Sequence, residues 1–358
     1  MRGRVMGGVA LGVVVLGTGT AAAAVPEWKI VHTVSQPVSV EKTLDDIVAT
    51  GESDVWAVGT VDGNSEAGSP LVQRFDGTRW NDVEVPVEAK AGSRYRTIDA
   101  SGPGDVWFFG NQGWADENGT GLAVRWDGTA WKSHRLGAST DVADAEVRGP
   151  NDVWVAGTRN AKPYTGHYDG SSWKYRATDI SVAAVGASGA DDVWFAGRKG
   201  DRAALERWDG RGYTRPALPA ITINGRAARS EIQDVVAFRP GNVWAVGRAF
   251  LPGGADRPLA LHWDGRAWSA TVLPIDHESF GDIAADGSGG LWASGRDRMF
   301  RFTGGRWVNS SLKNTGEVSK AVTGITNVRG TTRSWASGTL RFEDPGTPLR
   351  GVVLAPAG

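Results

Sequence analysis

Four aspartates each stand ten residues ahead of a tryptophan: Asp46 before Trp56, Asp144 before Trp154, Asp234 before Trp244 and Asp282 before Trp292. Three arginines, Arg198, Arg248 and Arg296, each follow a tryptophan of the same series by four residues. Carboxylates brought to one place can accept sugar hydroxyls or hold a cation, and a suitably spaced pair can hydrolyse a glycosidic bond. A guanidinium beside them would hold an anionic group through charge-assisted hydrogen bonds. Trp114, in "GWADENG", offers an aromatic platform, and Tyr164 and Arg202 lie on the same side of the third and fourth repeats. The candidate ligand-binding residues are therefore Asp46, Trp114, Asp144, Tyr164, Arg198 and Arg202.

Other chemistries find little support. The 358-residue chain has no cysteine, so it has no disulfide framework, no thiolate nucleophile and no Cys-ligated metal. His32, His134 and His277 show no metal-ligand spacing. Asp62, Asn64 and Glu66 alternate oxygen ligands, but the rest of a calcium loop is missing. There is no nucleophile elbow, no HExxH and no phosphate loop. A net charge of -1 gives no electrostatic reason to expect nucleic acid or a membrane surface as partner. No cofactor is expected.

What positions these residues is a repeat. "DVWAVG" at 54 returns as "DVWFFG", "DVWVAG", "DVWFAG" and "NVWAVG", with weaker forms around Trp292 and Trp335. The seven tryptophans, Trp56, Trp107, Trp154, Trp194, Trp244, Trp292 and Trp335, are separated by 51, 47, 40, 50, 48 and 43 residues. That period is the length of a four-stranded propeller blade. Each repeat reads as strand a ("DIVATG" at 46), strand b with the tryptophan, strand c ending in aromatic-Asp-Gly, and strand d opening on Trp80 or its equivalents. The Asp-Gly pair is a hairpin turn signal.

The tryptophan itself is expected to be a packing residue between blades, because it recurs mid-strand. The polar residues around it are expected to pair within each blade: Asp54 with Arg74, Asp105 with Arg125, Asp152 with His167 and Asp192 with Arg207. Further in, Asp234 is expected to face Arg248 and Asp282 to face Arg296. Asp46, Asp144 and Arg198 would then face Thr60, Thr158 and Ala184, leaving an Asp144–Arg198 bridge between blades as the plain alternative to a ligand site. The b–c and d–a connections vary most and fall on one face, where binding residues concentrate.

The expected fold is all-β: a seven-bladed β-propeller of four-stranded antiparallel blades near 44–86, 95–136, 142–178, 180–219, 231–274, 280–312 and 322–358. The seventh repeat lacks strand d, and "PEWKIVHTVSQP" at the start of the chain, residues 26–36, should supply it and close the ring. Closure would remove two bare strand edges.

The pattern Val-Trp-x-x-Gly followed by aromatic-Asp and Trp resembles the kelch-type blade over nearly all of residues 25–358. It is more similar still to secreted bacterial propellers with DVWAVG repeats. One glycine (Gly59, Gly110, Gly157, Gly197, Gly247) stands where kelch blades carry two. Residues 1–24 read as a secretory signal: Arg2 and Arg4, an apolar run from Val5 to Leu16, then small residues from Ala21 to Ala24. That run is too short to span a bilayer. The sequence thus predicts an extracellular, monomeric binding module for a glycan or a secreted or cell-surface protein. The alternative is a propeller hydrolase or lyase using the channel-mouth carboxylates.

Overall fold

The computed structural model of the chain describes residues 25–37, 39–62, 68–85, 92–112, 119–312, 319–344 and 346–357. The leader-like segment 1–24, Asn64, Glu66 and Trp114 lie outside these residues. All regular structure described is β-strand. In repeat 1 the strands are Lys42–Gly51 (a), Asp54–Val61 (b), Ser69–Phe75 (c) and Trp80–Asp82 (d), antiparallel and paired in that order. Repeats 2 to 6 each form a separate four-stranded sheet of the same order. Their a strands are Arg94–Gly102, Thr140–Gly149, Ser181–Gly189, Arg229–Arg239 and Ile283–Ala285.

In repeat 7, strands a to c are Ser319–Asn327, Ser334–Arg341 and Arg350–Pro356. The first described strand, Trp28–Thr33, pairs antiparallel with strand c and takes the place of strand d, with Trp28 opposite Pro356. One parallel pairing, Lys42 with Arg350, joins this sheet to repeat 1.

Strand b is apolar along almost its whole length because both faces of each sheet are covered by the neighbouring repeats; Asp105–Gln112 is buried throughout. Its tryptophan meets the tryptophan that opens strand d of the next repeat, edge to face. Trp56 meets Trp131 at 6.2 Å, Trp107 meets Trp173 at 6.4 Å, and Trp194 meets Trp268 at 5.3 Å. Trp244 meets Trp307 at 6.3 Å, Trp292 meets Trp28 at 5.2 Å, and Trp335 meets Trp80 at 6.0 Å. Repeat 4 opens strand d on Tyr213, and there Trp154 leans on Trp208 instead. The motif tryptophans therefore bind one repeat to the next.

The end of strand b that turns back from strand a carries a polar cap. Asp54 accepts from Arg74 at 2.6 Å, Asp105 from Arg125 at 2.7 Å and Asp192 from Arg207 at 2.7 Å, while Asp152 lies 2.9 Å from His167. These are the pairs that the spacing predicts. The partner side chain also lies over the tryptophan: the Arg74 guanidinium is 4.4 Å from the Trp56 ring, and the His167 ring stacks on Trp154 at 3.9 Å.

The inner pairing differs from expectation. Strand a is bulged in repeats 1 to 5 and 7, at Asp45, Arg96, Ala143, Ala183, Gln233 and Thr323. A second bulge lies near the a–b turn of repeats 1 to 5. Each extra residue shifts the register, so Asp46 faces Val58, Asp144 faces Ala156 and Arg198 faces Ser181. Arg248 consequently bonds Glu231 at 2.7 Å and Asp256 at 2.9 Å, not Asp234. Arg296 reaches Asp256 at 3.3 Å, not Asp282, and Arg198 approaches Glu231, not Asp144.

The motif glycine follows from the same geometry. A Cβ on Gly157 would stand 2.1 Å from the Asp141 carbonyl oxygen, and one on Gly59 would stand 2.0 Å from that of Thr43. The bulged strand brings its carbonyl over strand b and leaves no room for a side chain.

Two outcomes follow for stability. Deleting 25–36 strips Trp292 of its partner and bares strand c of repeat 7, so the product should aggregate; Trp28→Ala alone should cost about 3–5 kcal/mol. A soluble deletion variant with an unchanged melt would contradict this. Gly157→Ala should cost about 1–3 kcal/mol in denaturant titration, the usual range for forcing atoms into a filled space.

Candidate functional site

The a strands of all seven repeats converge on one axial cavity of about 510 Å³. Asp46, Asp144, Asp234 and Asp282 line it together. Each follows the bulge position of its strand or, in repeat 6, opens a short strand. One oxygen of each accepts the amide of the next residue: Ile47 at 2.7 Å, Ala145 at 2.8 Å, Val235 at 2.7 Å and Ile283 at 2.6 Å. The other oxygen crosses to strand a of the following repeat. Asp46 accepts from Ile98 at 2.9 Å, Asp144 from Val185 at 2.7 Å, Asp234 from Ile283 at 2.8 Å and Asp282 from Ile325 at 2.6 Å. Thr97 replaces the aspartate in repeat 2 and donates to Asp46 at 2.8 Å.

Sequence reasoning missed a second tier. Asp99 accepts the Val147 amide at 2.5 Å, and Glu146 stands beside it. Both line a second axial cavity of about 560 Å³ toward the opposite end. The signal was present: each stands eight residues before its tryptophan, in a column that holds Val48 and Val236 in repeats 1 and 5.

By surface area the four aspartates are only half-buried. They nevertheless lie at the centre of the molecule, where protein rather than bulk water surrounds them, and desolvation is the largest cause of the raised titration of Asp46, Asp144 and Asp282. It pushes Asp46 and Asp99 up to about 7, against the amide bonds that favour the anion. Asp144 is raised by desolvation and then by the Asp234 charge. Asp282 is raised by desolvation, by the Asp234 charge and by a hydrogen bond with that carboxyl. Glu146 is raised by desolvation and by Asp99. At the rim, Arg96 donates to Asp141 at 3.0 Å. Among the described residues, no group of three or more His, Asp or Glu side chains is placed to hold a metal ion.

Asp46 and Asp144 are thus brought to one cavity, and the other predicted residues go elsewhere. Tyr164 is buried on strand c of repeat 3, edge-on to Tyr175, its hydroxyl without a partner. Arg198 is exposed and donates to the Gly200 carbonyl at 2.8 Å. Arg202 lines a separate cavity of about 410 Å³ beside Leu218 and Ile221.

No protein-family model and no curated protein matches the sequence. Solved structures do match, all below 25% identity among those described here, so they bear on fold alone. YCF48 bound to D1 peptide superposes with a TM-score of 0.60 at 13% identity, over 94% of this chain and 98% of its own. The propeller domain of the trilobed protease from Pyrococcus furiosus, described as having an open velcro topology, gives 0.55 at 8% identity, over 87% and 95%. A PL25 ulvanlyase, a polysaccharide lyase bound to -[GlcA(1-4)Rha3S]-, gives 0.53 at 10% identity, over 89% and 95%. The chain has an all-β, β-propeller-like fold.

The raised carboxyls make stability fall as pH rises. A carboxyl whose pKa is higher folded than unfolded stabilises the fold fully below its unfolded pKa, and that contribution is lost as pH climbs through the folded value. Burial lowers His32, His134 and His262, which works in the opposite sense up to the ordinary imidazole value of 6.5. Above 6.5 the carboxyls act alone. The melting temperature should therefore drop between pH 6.5 and about pH 8, with a shallower drop in Asp46→Asn. A melting temperature that rises over this interval would contradict the assignment.

Proposed function

We propose that the chain is a non-enzymatic binding module: a closed, seven-bladed propeller, exported by its leader, that presents a ligand surface to an extracellular carbohydrate or protein. The observation that carries this reading is the occupation of the axial carboxylates. A general base or a nucleophile needs a free oxygen lone pair aimed at substrate. Asp46, Asp144, Asp234 and Asp282 instead have both oxygens held and oriented by backbone amides, one in their own strand and one in the next repeat. They act as clips between repeats.

Closure is supported by the Trp28–Thr33 strand beside strand c of repeat 7, and by bonds from repeat 7 to repeat 1. Thr323 donates to the Leu44 carbonyl at 2.8 Å, and the Ala49 amide donates to Thr326 at 3.1 Å. The neighbours in fold give the ligand classes: YCF48 is seen with a peptide and the ulvanlyase with a saccharide.

The test is incubation of the purified chain with a polysaccharide panel, following reducing ends and the ultraviolet absorbance of unsaturated uronate ends beside binding. Binding without product is expected, and Asp46→Asn and Asp144→Asn should lower the melting temperature while leaving affinity within about twofold. Product release that either substitution abolishes would establish the hydrolase or lyase alternative.

A further inference from the structure

Repeat 5 breaks the polar cap that repeats 1 to 4 keep. In repeats 1, 2 and 4 a hydroxyl near the a–b turn donates to the strand-b aspartate at 2.5 Å: Thr50 to Asp54, Ser101 to Asp105, Ser188 to Asp192. Repeat 3 uses Arg148 to Asp152 in the same way, at 3.1 Å. Repeat 5 has Phe238 in place of the hydroxyl, Asn242 in place of the aspartate and His262 in place of the arginine. Its tryptophan, Trp244, is half-buried where the six other motif tryptophans are buried.

The result is a groove of about 780 Å³ between repeats 5 and 6, on the cap side of the molecule and away from the Asp46 cavity. Three of the residues on the facing wall, Gly287, Gly289 and Gly290, have no side chain to fill it. Phe238 stands at its edge with 41% of its surface exposed, one of two large apolar side chains so exposed among the described residues. It lines both this groove and the second axial cavity, as do Asn327 and Arg329.

The polar lining selects a ligand. The Asn242 oxygen accepts from the Trp244 indole at 3.1 Å and lies 2.9 Å from the His262 Nε2. An indole N–H only donates, so it fixes which way the amide points and leaves the Asn242 nitrogen as a donor. No aspartate cap could offer that. Arg239 and Arg329 both line the groove, are exposed, and have no hydrogen-bond or ion-pair partner among the described residues. Asp264, opposite them, uses one oxygen to accept the amides of Arg266 and Ala267. The groove therefore offers an apolar plane, two free guanidiniums, an amide donor and a carboxylate acceptor.

We infer that this groove binds an anionic saccharide: a pyranose whose apolar face lies on Phe238, whose carboxylate or sulfate is held by Arg239 and Arg329, and whose hydroxyls meet Asn242 and Asp264. Sugar hydroxyls both donate and accept, which suits the Asn–Asp lining, and an anionic group on the same ring suits the two guanidiniums. Charge-assisted contacts to guanidinium are the strong ones, and an exposed apolar patch rimmed by polar groups is where ligands settle. The inference rests on the binding-module reading and gives it a place and a ligand class.

The test uses the full mature chain with tetragalacturonate and a sulfated carrageenan tetrasaccharide as anionic probes, and galactotetraose as the neutral control, followed by calorimetry. At least one anionic probe should bind, more weakly as salt is raised, with galactotetraose at least about tenfold weaker. The double variant Arg239→Ala/Arg329→Ala should weaken the anionic probe by about tenfold or more, and Phe238→Ala should weaken it without changing its salt dependence. These side chains are exposed, so both variants should melt with the parent. Binding untouched by either variant, or no binding to either anionic probe, overturns the inference. The binding-module reading fails separately, through product release in the polysaccharide assay, and would survive a groove that takes a neutral sugar or a peptide.

Discussion

The tryptophan on strand b of one repeat stands edge-on to the tryptophan that opens strand d of the next, and the rest of the molecule is arranged around that contact. The contact needs a buried strand b, which accounts for apolar residues on both sides of each motif tryptophan. It also needs a d strand in every repeat, and the seventh obtains one from Trp28–Thr33, whose Trp28 completes the contact for Trp292. An edge-to-face aromatic pair adds about 0.5–1.5 kcal/mol beyond its buried area. Six such pairs, each between different repeats, also fix the angle at which repeats meet. That angle drives the seven a strands toward a common axis.

Convergence at the axis creates a second problem. Strands that approach edge-on cannot share a ladder, so amides facing the axis need acceptors. The bulges meet this need by placing an aspartate where it can take one amide from its own strand and one from the neighbour. The arrangement raises the energy of the anion, because four carboxylates then share one poorly solvated cavity. Where repeat 4 has Ala184 at this place, the step to repeat 5 relies on apolar packing instead. Trp194, Leu205, Ile232 and Trp268 form one cluster there, and the short hairpin Thr222–Ile223/Arg226–Ala227 adds Ile223 to it. Charge and apolar area thus substitute for one another at successive steps.

Much of this was legible in the sequence because it is local. The aspartate opening strand b and the cation near the end of strand c sit in repeated motifs that mark the same end of the blade, so Asp54–Arg74 and its equivalents follow without knowledge of the loop between them. Strand order follows from the repeat, and so does the role of Trp28. The bulges were not legible. Each extra residue leaves the apolar pattern looking continuous while moving every later pair by one position; the two in repeat 5 carry Arg248 from a place opposite Gln233 to one opposite Glu231, clear of Asp234. The role of the axial aspartates was hidden for a different reason. Asp46 meets the amide of Ile98, 52 residues away, and an amide leaves no mark in a sequence. Carboxylates that looked like a reactive mouth are acceptors for main-chain groups.

The repeat also makes departures informative. When most repeats obey a rule with a known physical purpose, a repeat that departs from it has been released from that purpose or given another. Thr97 in place of an axial aspartate still serves the clip, since its hydroxyl donates to Asp46. The substitutions at Phe238, Asn242 and His262 do not serve the cap in that way. They remove its charge, turn an acceptor-only carboxylate into an amide with a free donor, and expose a ring that the fold has no need to expose. Phe238 and Asn242, at the two ends of one turn and both facing one groove, are poorly explained by packing, which would favour keeping the cap. They are well explained by a surface shaped for something outside the chain.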